Sequence, residues 1–164
     1  MEKSRMQKIT NKKLIILDLN STLLFRDSKK NVILRPGLYE FLDELISKKY
    51  QIAIFTSCKE KNGKLLIDEF FKNYNFEFTW YRDRCDLDPD FGIDTEVKDF
   101  DTIKDINSIL LSPLLNRKYQ ESDILFVDDS YRKMRFNPDE SYYLIPSYSG
   151  EKSDEELTKL SNKL

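Results

Sequence analysis

An aliphatic run, Ile15-Ile16-Leu17, ends in a carboxylate, Asp18, followed at alternate positions by an amide, Asn20, and a hydroxyl, Thr22. Two other apolar runs end in polar groups. Gln51-Ile52-Ala53-Ile54-Phe55 closes on Thr56-Ser57-Cys58, and Ile124-Leu125-Phe126-Val127 closes on Asp128-Asp129-Ser130. If the three runs are parallel neighbours, their polar ends converge on one sheet edge, where ligands bind in open α/β sheets. Carboxylates gathered there repel one another and call for a cation. Hard oxygen donors suit Mg²⁺, which takes one or two carboxylates, several waters and a substrate phosphate. Such a cation shields phosphate charge and lets an anionic Asp18 approach it. The Thr56 hydroxyl and an ammonium, Lys98 in Val97-Lys98-Asp99, would hold the transferring oxygens. The chain has no histidine, which excludes Ser-His and Cys-His nucleophiles and imidazole-bound zinc.

Short runs of branched aliphatics bounded by polar residues predict buried strands over Lys13–Leu19, Gln51–Thr56 and Asp123–Ser130. Between the first two, Phe25–Val32 carries turn chemistry and reads as an exposed loop or hairpin. Arg35-Pro36-Gly37 opens a helix with proline at its first position. The apolar face of that helix is Leu38, Phe41, Leu42, Leu45 and Ile46. A second helix, from about Glu60 to Tyr74, buries Ile67, Phe70, Phe71 and Tyr74. The alternation of Phe76–Tyr81 predicts a half-exposed strand, and the irregular segment after it a small insertion at the site, about 76–97. Ile103, Ile106, Leu110 and Leu111 mark a further helix, Ser141–Pro146 a further strand, and Ser153 with Glu156 the capping box of a last helix. Strand, helix, strand, helix argues for parallel strands with right-handed crossovers.

With 164 residues the chain has room for one domain with a sizeable core. Residues 1–12 read as a basic tail and 13–164 as the domain. The 27 basic and 29 acidic residues nearly balance, so a net charge of −2 names no partner and gives a nucleic-acid groove little support. No apolar run approaches a membrane span, and the amino terminus lacks the stretch of a secretion signal. Cys58 and Cys85 make no disulfide framework, so the expectation is an intracellular monomer, cytoplasmic or nuclear, with reduced thiols.

The run from Ile15 to Leu24 resembles the first motif of the haloacid-dehalogenase (HAD) superfamily, aliphatics followed by D-x-D-x-[TV]. Within it, the chain looks most like the small phosphatases that act on the carboxy-terminal domain of RNA polymerase II. Leu34-Arg35-Pro36-Gly37, Ile54-Phe55-Thr56-Ser57, Tyr81-Arg82-Asp83-Arg84-Cys85, Val97-Lys98-Asp99 and Phe126-Val127-Asp128-Asp129-Ser130 occur in that family's order. The resemblance implies a HAD-like Rossmannoid three-layer α/β fold, a mostly parallel sheet with helices on both faces and a small β-containing insertion between the second and third motifs. It also implies a Mg²⁺-dependent aspartyl-phosphate mechanism on phosphoserine or phosphothreonine in proteins. Asp18 would be the nucleophile, and Asp18, the Asn20 carbonyl, Asp128 and Asp129 would serve the metal. Thr56, Ser57 and Lys98 would bind phosphate, and Tyr81 and Arg82 the peptide.

The departure is Asn20, where the family places its general acid/base. An amide cannot supply the proton that a serine alkoxide needs on leaving, a contribution of roughly 10²–10⁴-fold. Three explanations are open: a slow or inactive relative that binds a phosphopeptide or protein partner, an Asp-to-Asn substitution made in the laboratory, or a proton from Asp83 or Asp86. The expected function is a weakened protein phosphatase. The alternatives are a pseudophosphatase binding module and a nucleic-acid end phosphatase. Taken singly, Asp128-Asp129 and Thr56 could equally be helix caps and Lys98 a solvated charge.

Overall fold

The computed structural model describes Ile9 and residues 11–164. In chain order its strands are β1 (Leu14–Leu17), β2 (Leu24–Arg26), β3 (Val32–Leu34), β4 (Gln51–Phe55), β5 (Thr79–Trp80), β6 (Asp86–Leu87), β7 (Thr102–Ile103), β8 (Ile124–Asp128) and β9 (Tyr142–Leu144). The helices are α1 (Leu38–Ser47), α2 (Glu60–Phe70), α3 (Ile106–Leu110), α4 (Tyr131–Met134) and α5 (Glu156–Lys163). Five strands form one sheet in the order β5-β4-β1-β8-β9, and every pairing in it is parallel. The continuous apolar runs of β1 and β8 reflect burial on both faces, as all-parallel sheets require.

Successive side chains point to opposite faces of a strand, and two cores result. Ile15, Leu17, Ile52 and Val127 meet Leu38, Phe41 and Leu45 of α1, Leu66 of α2, and Leu157 and Leu160 of α5. Leu14, Ile16, Phe55 and Phe126 meet Ile106 and Ile109 of α3 and Met134 of α4. Helices therefore cover both faces, as expected. Leu17 lies between Ile54 and Val127 in register. The next residues of β1 and β4 stay in the ladder, Asp18 N–H donating to Val127 O (3.0 Å) and Thr56 N–H to Trp80 O (2.9 Å).

Several local expectations change. Pro36 lies outside α1, because Gly37 is the N-cap with φ of 79°, a left-handed conformation favouring glycine. Helix α2 stops at Phe70 and buries Gly63 and Leu66, with Ile67, Phe70 and Tyr74 only half-buried against the core. Of the Phe76–Tyr81 run only Thr79-Trp80 is strand, on the outer edge of β4, although Glu77 N–H also donates to Ile52 O (2.8 Å) and Phe78 O accepts from Ile54 N–H (3.0 Å). Ile103 belongs to β7 and not to α3. The Ser153 capping box does not form; Glu155 is the N-cap of α5, and the Asp154 carboxylate accepts from Glu156 N–H (3.2 Å). The 1–12 tail lies outside the described residues except for Ile9, Asn11 and Lys12. Two of these are packed in: Ile9 lies against the core, and buried Lys12 donates to Glu140 O (2.9 Å).

The hairpin near the site is β2–β3. The insertion is longer than the expected 76–97, because β6 pairs antiparallel with β7 and closes it at Ile103. Arg135 ties it to α4 through Asp88 (2.6 Å) and Asp90 (2.8 Å). Among the described residues no helix is long and apolar enough to cross a membrane.

Candidate active site

Beyond β1 the chain makes a tight turn that carries Thr22 back over Asp18. Leu19 O accepts from the N–H groups of Thr22 (3.2 Å), Leu23 (2.9 Å) and Leu24 (3.3 Å), and Ser21 takes a φ of 64°. The Thr22 hydroxyl thereby donates to Asp18 Oδ2 (3.1 Å) and lies 3.5 Å from Asp129 Oδ1. At the end of β8, Asp128 Oδ1 accepts from Ser130 N–H (2.9 Å), and Asp129 Oδ2 accepts from the Ser147 hydroxyl (2.7 Å). Ser130 is the N-cap of α4, so neither aspartate is consumed as a helix cap.

The ammonium at this centre belongs to Lys104, not Lys98. Lys104 Nζ donates to Asp128 Oδ2 (2.6 Å) and to Asp18 Oδ1 (3.1 Å), and the residue is only 1% exposed. Its backbone is fixed on both sides: Lys104 N–H donates to Lys133 O (3.0 Å), and Asn137 Nδ2 donates to Lys104 O (2.7 Å). Lys98 is exposed in the turn before β7, where its N–H donates to Asp101 Oδ2 (2.8 Å). Both lysines sit in an aliphatic-Lys-Asp triplet, Val97-Lys98-Asp99 and Ile103-Lys104-Asp105. What distinguishes the second is that Lys104 follows a strand and precedes Asp105, the N-cap of α3, which accepts from Asn107 N–H (2.9 Å). Thr56 and Asp128 likewise stand where a strand runs on to a helix, whereas Asp18 is followed by the turn before β2.

Thr56 is buried at the end of β4, and its hydroxyl accepts from Cys58 N–H (3.1 Å), with half-buried Ser57 between them. Asn20 is exposed, and burial pushes the Cys58 thiol up. Tyr81 and Arg82 are not brought to the carboxylates. Tyr81 is buried with its ring against Gly63, and the Arg82 guanidinium donates to Phe100 O. Asp83 and Asp86, the other proton donors considered, are exposed on the insertion.

One ammonium faces three carboxylates. Burial, then the charge of Asp128, pushes Asp18 up to about 7 against the opposing pull of Lys104. Burial disfavours the charged form of Lys104, but Asp128 and Asp18 outweigh it and hold the ammonium above the ordinary lysine range. One carboxylate oxygen each from Asp18, Asp128 and Asp129 lies within 4.8 Å of the others. An all-oxygen donor set with excess negative charge beside a buried lysine fits a hard divalent cation such as Mg²⁺.

Comparison with known proteins agrees with this geometry. A family model described as NLI interacting factor-like phosphatase matches residues 13–164. A Schizosaccharomyces pombe protein described as an uncharacterized FCP1 homology domain-containing protein is 37% identical over 68 residues, 35% of this chain and 28% of its own length. The chain thus spans little more than a quarter of that relative. Among solved structures, a HAD-superfamily hydrolase from Ehrlichia chaffeensis superposes with a TM-score of 0.57 at 12% identity, covering 91% of this chain and 94% of that one. The 3-deoxy-D-manno-octulosonate 8-phosphate phosphatase of Moraxella catarrhalis, solved with magnesium, phosphate and its sugar, superposes with a TM-score of 0.55 at 9% identity, covering 98% and 90%. At such identities these two likenesses speak for the fold alone. The family model spans all the strands and all the converging carboxylates, and on that match the chain belongs to the NLI interacting factor-like phosphatase family.

Proposed function

We propose that the chain is a phosphoric monoester hydrolase acting on phosphoserine or phosphothreonine in a protein or peptide, with Asp18 as nucleophile and a proton shuttle weakened by Asn20. The observation that carries this reading is the Lys104 ammonium held between Asp18 and Asp128 at the carboxyl edge of the sheet. Mg²⁺, held by Asp18, Asp128, Asp129 and the Asn20 carbonyl, would supply charge neutralisation for the phosphate. The chain's own residues do the rest. Thr22 and Lys104 grip the two oxygens of Asp18 and aim the carboxylate, so that one oxygen forms the bond to phosphorus as the ester oxygen departs. Lys104, freed in part from Asp18 as its charge is transferred, neutralises the phosphoryl oxygens. Thr56, with its hydroxyl aimed by Cys58 N–H, and Ser57 bind those oxygens from the β4 side. Lys98 has no part in this, because its side chain is exposed on the insertion.

Asn20 favours a second reading, a pseudophosphatase that binds a phosphopeptide or protein partner in the same pocket without turning it over. Its amide is exposed and cannot donate a proton as an acid. Mg²⁺-dependent hydrolysis of p-nitrophenyl phosphate, abolished in Asp18→Asn, is the result expected of the first reading. Tight phosphopeptide binding with no hydrolysis of any ester would replace it with the second.

A further inference from the structure

Arg35 is 1% exposed, lies outside the carboxylate cluster, and has no part in the chemistry above. Its guanidinium nevertheless ties three separate segments together. Nε and Nη2 donate to the two oxygens of Asp154 (2.8 and 2.9 Å), a bidentate pairing just ahead of α5. Nη2 also donates to Pro146 O (2.7 Å), and Nη1 donates to Thr22 O (3.0 Å). The Tyr148 ring lies 5.4 Å from the guanidinium carbon.

The Thr22 bond matters most, since the Thr22 hydroxyl touches Asp18 and approaches Asp129. The segment gripped at Pro146 supplies two further ties to the same place. Ser147 donates to Asp129 Oδ2 (2.7 Å), and Tyr148 N–H donates to Ser21 O (2.8 Å). From these contacts we infer that Arg35 is a positioning residue for the proposed reaction, locking the Thr22 turn to the Pro146–Asp154 segment so that Asp18 and Asp129 are held together. A planar fork with five N–H donors can meet a carboxylate and two carbonyls at once, and a lysine ammonium cannot reproduce that geometry. The buried charge is matched by Asp154, so the clasp adds no net charge to the acidic cluster and acts on its geometry.

This inference rests on the phosphatase reading only for its kinetic part. Its test compares the full chain with Thr22→Val, Arg35→Lys, Asp154→Asn and the double variant Thr22→Val/Arg35→Lys. Mg²⁺ affinity is measured by calorimetry, kcat and KM on p-nitrophenyl phosphate, and folding by circular dichroism. Groups that orient metal ligands from outside typically change metal affinity or activity by roughly 10–100-fold. We expect losses of that order in Mg²⁺ affinity and kcat for both Arg35→Lys and Asp154→Asn, with KM nearly unchanged. Because Arg35 acts in part through Thr22, the loss in the double variant should be smaller than the product of the two single losses. Folded Arg35→Lys and Asp154→Asn proteins that bind Mg²⁺ like the parent overturn the inference, and so do losses that multiply with Thr22→Val. If Arg35→Lys does not fold, Asp154→Asn decides. A parent that binds Mg²⁺ but hydrolyses nothing refutes the phosphatase reading and leaves the affinity comparison to judge Arg35. A parent that binds no Mg²⁺ refutes both.

Discussion

Asp18 is held with its charge in excess, and replacing it by asparagine should stabilise the metal-free protein at neutral and alkaline pH. Lys104 lies 2.6 Å from Asp128 and 3.1 Å from Asp18, so it neutralises Asp128 first. Burial and that neighbour then raise Asp18 from 3.8 to about 7. In the unfolded chain Asp18 loses its proton near its ordinary value, while in the fold it keeps the proton until about pH 7. Across that window the folded state binds more protons than the unfolded one, so stability falls as pH rises. At about 1.4 kcal/mol per pKa unit, the cost of ionising Asp18 in the fold is on the order of 4 kcal/mol by pH 8. Lys104 adds no slope there, because a raised ammonium loses its contribution only in the alkaline range. The assay is urea or thermal unfolding in EDTA, for parent and Asp18→Asn, from pH 5 to pH 8. We expect the variant to gain about 2–4 kcal/mol at pH 8, roughly 4–16 °C in Tm for a domain of this size. The gain should shrink steadily toward pH 5. A parent–variant difference that does not change with pH, or a variant less stable at pH 8, would refute the reasoning.

Lys104→Met leaves two buried carboxylates without their cation and should cost about 3–5 kcal/mol together with activity, whereas Lys98→Ala should stay within about 0.5 kcal/mol; parallel denaturation curves separate them. Saturating Mg²⁺ should raise parent stability by about 2.7 kcal/mol at a hundredfold excess over Kd, and by much less in Asp129→Asn, as differential scanning fluorimetry would read. Gly63→Ala would bring a Cβ to 2.7 Å from the Tyr81 ring. The ring must shift, and a loss of about 1–3 kcal/mol in chemical denaturation is expected.

The parallel core was legible because its signal is local. Apolar runs mark β1, β4 and β8 as buried strands, and their polar ends put Asp18, Thr56, Asp128 and Asp129 on one edge. Lys104 was missed because two aliphatic-Lys-Asp triplets stand six positions apart in the sequence, and motif spacing could not choose between them. The choice is made by the pairing of β6 with β7, which folds Lys98 outward and delivers Lys104 to the sheet edge. The resemblance gives Tyr81 to a peptide; its burial against Gly63 has no sequence signal, because glycine has no side chain to mark a packing contact. The clasp of Arg35 on Asp154 was equally hidden, since ion pairs 119 positions apart leave no periodic trace. The Ser153 capping box gives way because the Asp154 carboxylate takes the Glu156 N–H while it pairs with Arg35.

The central claim is that the nucleophile and its charge environment are intact and only the proton shuttle is missing. The most direct test compares the parent with Asn20→Asp, in Mg²⁺, on p-nitrophenyl phosphate and on a phosphoserine peptide. The aryl ester departs with little help from an acid, whereas the serine alkoxide requires one. The account predicts measurable aryl-ester hydrolysis by the parent and a gain for Asn20→Asp of roughly 10²–10⁴-fold on the peptide, larger than on the aryl ester. Two inert proteins that still bind Mg²⁺ would contradict it and leave the pocket a binding module.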